Sequence, residues 1–282
     1  MTAHVGRYDL SELSPRRLLA AVRIRVDELP HSVAWRASSL AQENRAKLLR
    51  YADAHKGERC FIIANGPSLR LMNLSLLKGE VTFGLNRIYL LFGETDFRPT
   101  YFVAMNELIL EQFSSEIRGL SMPKFLNWNR RGPYLRGDDA THFLKSRMVL
   151  RDSFQADITK PLVVGGTVTF VALQIAYFMG FSDVVIIGLD HRYIEKGVPS
   201  ATERRTEVLD RSHFHPDYFP RGSLWQLPDL MRSELDFQLA EAAFAAAGRR
   251  VRDATLGGNC PVFQKADFAS VLREGRVAAP VR

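Results

Sequence analysis

Apolar residues in this chain follow two rhythms, and the rhythm changes near residue 57. Upstream they recur at helical spacing. Leu18, Leu19, Val22 and Val26 share a face, and Ser14-Pro15 supplies a cap and a first-turn proline. Pro30 is expected to end this helix, and a second is predicted from about Val33 to Ala54. From Cys60 onward, short apolar runs alternate with helical stretches. "CFIIA", "VTFGLN", "TYFVAMN", "KFLNW", "RMVL" and "DVVIIGLD" read as strands. "GGTVTFVALQIAYFMGF" is apolar almost all round and reads as a buried helix. "RSELDFQLAEAAFAAAG" is a further helix with Gly248 past its end, and "RRVRDAT" is a closing strand. This alternation predicts an α/β fold, a Rossmann-like, doubly wound, mostly parallel sheet. Residues 1–57 are expected to form a helical extension and 58–282 the main domain, with a lid at about 192–231 rich in charge, His, Pro and aromatics.

In such sheets ligands sit beyond the carboxyl ends of the strands. Here those ends are polar in a consistent way. The first run ends at Asn65-Gly66-Pro67-Ser68, the second at Asn86, the third at Asn106 and the fourth in Asn127 to Asn129. "DVVIIGLD" ends at Asp190, followed by His191. One Asn after a strand is ordinary turn chemistry. Several in succession point to one polar cleft, since Asn both donates and accepts.

Composition narrows the classes. With 46% hydrophobic residues the 282-residue chain can bury a large core. No apolar run nears membrane-spanning length, and "MTAHVGRYDL" has no apolar signal-peptide centre, so a cytoplasmic protein is expected. Cys60 and Cys260 fit a reducing compartment and make no metal site by themselves. The net charge of +7 lies in dispersed clusters without a nucleic-acid-binding signature, so no nucleic-acid partner is expected. Arg16, Arg17, Arg23 and Arg25 make the first helix basic, which suits either a solvated packing helix or peripheral contact with the inner face of a membrane.

Neither G-x-G-x-x-G nor G-x-x-x-x-G-K-[ST] occurs. Gly66 permits close backbone approach, and Ser68 can cap a following helix whose free N–H groups favour a phosphate. Gly165, Gly166 and Thr167 open the buried helix in a similar way. "RSHFHPDYF" places His213 and His215 beside Asp217 and Tyr218, and either His could serve as a general base. No metal site is expected. There is no D-x-D motif at a strand end, and Asp138-Asp139 read as solvated loop acids.

"IIANGPSL", "GLNRIYL", "YFVAMNELILEQF", "GGTVTFVALQIAYFMGFSDVVIIGLDHRY" and "SHFHPDYF" together resemble the bacterial lipooligosaccharide-type sialyltransferases. They resemble still more the broader domain-of-unknown-function 115 group. That group includes the motility-associated flagellin glycosyltransferase core and the archaeal 6-hydroxymethylpterin diphosphokinase. The resemblance covers about Cys60 to Phe268. It implies a CMP-activated sugar acid as donor, a glycan or glycolipid acceptor, no required cofactor, and a homo-oligomer. It implies that Asn65, Gly66 and Ser68 hold phosphate and ribose, with Asn86 and Asn106 on the donor. It implies Gly166 and Thr167 beneath the base, Asp190 at the end of the central strand, and Tyr193 at the leaving phosphate. The catalytic His falls within 212–215, as His213 or His215. The implied reaction is inverting, metal-independent glycosyl transfer. The alternatives are Mg²⁺- and ATP-dependent pyrophosphate transfer, or nucleotide binding without catalysis.

Overall fold

The computed structural model describes residues 15–134, 139–147 and 152–274, with side chains from residue 25 onward. The chain divides into two compact units, 1–43 and 44–282. In the first, α1 (Pro15–Ala37) runs straight through Pro30. The expected stop fails because helical spacing continues on both sides, which outweighs the one ladder N–H that proline lacks. The break comes at Ser38 instead. Its hydroxyl donates to the Ala34 carbonyl at 2.6 Å and accepts the Ala41 amide, capping α2 (Ser39–Leu49). The second helix is thus shorter than predicted, and 50–57 form turns. Ser14, Asp138 and 148–150 lie outside the described residues.

The second unit carries an eight-stranded sheet, all of it parallel, in the order β10-β9-β6-β1-β2-β3-β4-β5. The strands are β1 (Arg59–Ile63), β2 (Val81–Leu85), β3 (Tyr101–Ala104), β4 (Lys124–Asn127) and β5 (Thr141–Leu144). On the other side lie β6 (Asp183–Ile187), β9 (Arg250–Asp253) and β10 (Gln264–Lys265). Among the described strands β5 lies at one edge, and the Asn44 side chain pairs with it through Phe143 at 2.7 and 2.8 Å. Central strands are buried on both faces, which explains their unbroken apolar runs. Helix α5 (Val168–Phe178) is buried at eight positions and packs on the sheet with α6 (Leu230–Ala246). Short helices α3 (Glu107–Gln112) and α4 (Ser114–Arg118) follow β3, and α7 (Phe268–Arg273) follows β10.

Charges around the first residues of β1 and β6 are paired structurally. Arg252 meets Asp183 at 2.6 Å and Arg59 meets Glu80 at 2.7 Å. Both cysteines are buried and free. The strand order reverses between β1 and β6, so the crevice expected of this fold lies beyond Ile63 and Ile187. The segment 192–231 lies after β6 and contains a separate antiparallel ribbon, β7 (Thr202–Arg204) and β8 (Leu224–Gln226).

Candidate active site

At the reversal point, the turns after β1 and β6 are locked together. The Gly66 amide donates to the Gly188 carbonyl at 2.8 Å. Gly66 has an ordinary φ of −71°, so closeness rather than conformation demands glycine. A Cβ there would stand 1.9 Å from Asp190 Oδ2. The Ser68 amide donates to Asp190 Oδ1 at 3.1 Å, and the Ser68 hydroxyl donates to Oδ2 at 2.6 Å. Pro67 opens the 3-10 turn that places Ser68 there. The Ser68 donors expected to face phosphate therefore meet a carboxylate of the protein itself.

The second glycine turn repeats the device. Gly165 sits at φ +68°, where glycine carries no steric penalty, and a Cβ would lie 2.2 Å from Asp236 Oδ2. The Gly166 amide donates to the same oxygen at 2.7 Å. Thr167 caps α5 by accepting the Thr169 amide. Asp236 is fully buried, and its Oδ1 has no hydrogen-bond partner among the described residues. Burial pushes its carboxyl up to about 6, against the pull of the Gly166 amide and with help from Asp152.

The segment 192–231, the expected lid, carries the constellation with the clearest chemistry. Asp210 is buried and accepts from His213 Nδ1 at 2.9 Å. It also accepts the amides of Ser212 and His213, at 2.9 and 3.1 Å. Burial alone would raise the Asp210 carboxyl, but the His213 hydrogen bond and charge, with Arg205 and the Ser212 amide, hold it below the usual range. An ionised Asp210 fixes the tautomer. In the neutral ring His213 Nδ1 donates to Asp210, and Nε2 keeps its lone pair. Among the described residues Nε2 has no hydrogen-bond partner. The ring stacks on Tyr218, with centroids 4.0 Å apart and planes 3° from parallel, and meets the edges of Tyr193 and Phe219. Arg205, buried over Trp225, joins Glu195 at 2.8 Å and lies 3.8 Å from Asp210.

His215 is arranged in the opposite sense. Its Nδ1 accepts the Asp217 amide at 3.1 Å, so the ring hydrogen sits on Nε2, 3.5 Å from Glu94. Of the two candidates, His213 has the lone pair a base requires. The lid is pinned over the turn after β1. Phe214 donates its amide to the Asn65 carbonyl at 2.9 Å, and Arg70 donates to the Phe214 carbonyl. Buried Arg87 donates to the carbonyls of Asp217, at 2.8 Å, and Tyr218, with its guanidinium 3.7 Å from the Phe113 ring centroid. Tyr218 is buried, and burial pushes its hydroxyl far above the usual range, so it remains a donor.

The strand-end asparagines divide into two groups. Asn65, Asn86 and Asn129 each carry a buried Oδ1 without a partner among the described residues, and Asn86 sits at φ +48°. Asn106 is committed. It caps α3 through Ile109 and donates to Gln226 of β8 at 3.0 Å, tying β3 to the lid. Asn127 is spent on Met105 and Asn129. His191, at φ +54°, meets Glu234 of α6 at 2.9 Å. Tyr193 is 37% exposed beside His213. Reading the sequence missed Asp210, Arg205, Glu195 and Arg87. The only sequence signal for Asp210 is an acid three residues before a His in a polar loop.

A known family covers much of this frame. Residues 37–196 match the family described as 6-hydroxymethylpterin diphosphokinase MptE-like, which is over half of the chain. The chain belongs to that family. The MptE-like match spans β1 to β6 and ends before Asp210 and His213, so the dyad's reading rests on geometry. Among solved structures, the MAf glycosyltransferase from Magnetospirillum magneticum AMB-1 is similar, with 15% identity and a TM-score of 0.47. That match covers 91% of this chain and 43% of the other, so the MptE-like chain spans less than half the length of that protein. No curated protein matches it.

Proposed function

We propose that this chain is an inverting glycosyltransferase, moving a sugar from a nucleotide-activated donor to a hydroxyl acceptor with His213 as general base. One observation carries the reading. Asp210 holds His213 Nδ1 at 2.9 Å and leaves Nε2 without a partner among the described residues, on a segment bonded to Asn65. In the proposed step Nε2 takes the acceptor hydroxyl proton as that oxygen bonds the anomeric carbon. The bond from that carbon to the phosphate oxygen breaks, and its electrons leave with the nucleotide. Asp210 stabilises the imidazolium. Tyr193, exposed beside His213, is the hydroxyl proposed to meet the departing phosphate. The unpaired acceptors of Asn65 and Asn86 suit the amino and hydroxyl donors of a base and ribose. With the resemblance over 60–268, this favours a CMP-activated sugar acid, such as sialic acid or a related ulosonic acid, in surface-glycan synthesis. No metal is needed in this reading.

The family description favours a second reading, ATP-dependent pyrophosphate transfer to a pterin hydroxymethyl group. Magnesium would then need carboxylate ligands. Asp190, the strand-end acid best placed for that, has both oxygens engaged by Ser68, which favours the first reading. A thermal-shift panel of CMP, CDP, UDP, GDP and ATP, with and without Mg²⁺, separates them. Stabilisation by CMP without metal is expected. A shift only by ATP with Mg²⁺ would overturn the transferase, and a shift without turnover of any donor would leave a binding protein.

A further inference from the structure

We propose that α1 docks in the plane of an anionic lipid surface, independently of the chemistry assigned to the lid. Val26, Leu29 and Val33 stand at i, i+3 and i+7 and are 61%, 60% and 56% exposed. By position, Leu19 and Val22 extend the same line upstream. At ~100° per residue these five positions fill roughly a quarter of the helix circumference. Arginines border that stripe on both sides. Arg25 and Arg36, both exposed, follow one edge, and by helical position alone Arg16 and Arg23 fall on the other. Asp27 and Glu28 lie beyond those borders.

An apolar stripe between two cationic edges matches a headgroup layer, where the aliphatic side chains enter the acyl boundary and the guanidinium groups reach phosphates. A helix seam for a second copy would favour pairing charges at its flanks, whereas these flanks carry one sign. Among the described residues no helix is long and apolar enough to cross a membrane, so α1 would lie on the surface. The committed partner is therefore a bilayer rich in acidic phospholipid.

The test is co-sedimentation of the full chain with vesicles of phosphatidylcholine alone, or with about a third phosphatidylglycerol, alongside light scattering for oligomeric state. Pelleting only with anionic vesicles is expected, reversed by about 0.5 M salt. Arg25→Glu with Arg36→Glu should weaken binding about tenfold or more, since each basic residue near the surface contributes on this scale. Leu29→Asp should abolish it, and Val33→Ser, a milder change, should weaken it without altering the melting temperature. Failure to pellet, equal pelleting on neutral vesicles, or Leu29→Asp dissociating an oligomer without changing vesicle binding would each overturn the proposal.

Discussion

Ser68 turns both its amide and its hydroxyl onto the carboxylate of Asp190, the hydroxyl at 2.6 Å. This joins the turn after β1 to the turn after β6, on either side of the point where the strand order reverses. The donors of a strand-end turn usually wait for a ligand anion. Here the protein supplies its own. Asp190→Ala would strand the buried Ser68 donors and should cost about 2–4 kcal/mol. Gly66→Ala would force a methyl into Asp190 and should be at least as damaging. Urea midpoints check both, and a midpoint unchanged by Gly66→Ala would mean the two turns are not held this closely.

The second aspartate lock carries a pH signature. Asp236 has a carboxyl raised to about 6 in the fold, against about 4 when unfolded. The folded state therefore holds a proton that the unfolded chain has lost. Its contribution to stability is fully present below about pH 4, declines as pH rises to about 6, and is then gone. Asp236→Asn keeps an acceptor for the Gly166 amide and removes that slope. It should stabilise the protein on the order of 2 kcal/mol at pH 7.5 and little at pH 4. Melting temperatures across this range read the difference. An equal effect at both pH values would contradict the protonation assigned to Asp236.

In the proposed mechanism Asp210 acts through His213. Asp210→Asn can present its amide hydrogens to Nδ1, which moves the ring hydrogen to Nε2 and disarms the base. Turnover should fall by roughly 10²-fold or more with the donor KM unchanged. A rise in KM at constant kcat would instead make Asp210 a structural prop of the lid.

Arg87 ties the lid to the turn after β2 through the carbonyls of Asp217 and Tyr218. Arg87→Met keeps bulk over Phe113 and removes the donors. A loss of about 2–3 kcal/mol is expected, since buried carbonyls lose charged partners. Protease cleavage should accelerate within 205–222 before the sheet is attacked. Cleavage elsewhere first would show that the lid is held by other contacts.

Much of the sheet was legible because parallel central strands are apolar on both faces. "CFIIA" and "DVVIIGLD" announce themselves, as does the almost wholly buried α5. The strand β5 was not legible. It is four residues long, includes His142, and is completed on its edge by a side chain from α2. Pro30 misled because a local rule was outvoted by the pattern around it. The polar strand ends were visible as a row of asparagines, but the difference between committed Asn106 and the Oδ1 atoms of Asn65 and Asn86, which lack a partner among the described residues, depends on tertiary neighbours. Neither His213 nor His215 is distinguished by its own sequence context. Asp210 and Glu94 separate them, and Glu94 lies far away in the chain.

The central claim is that His213 removes a proton in transfer from a nucleotide-activated sugar. Its most direct test is release of nucleotide from a panel of nucleotide-sugar donors, in the presence of a metal chelator, by the wild type, His213→Ala and His215→Ala. The account predicts CMP release from a CMP-activated sugar acid, reduced about 10²–10⁴-fold by His213→Ala and little by His215→Ala. Undiminished release by His213→Ala, or a loss confined to His215→Ala, would contradict it.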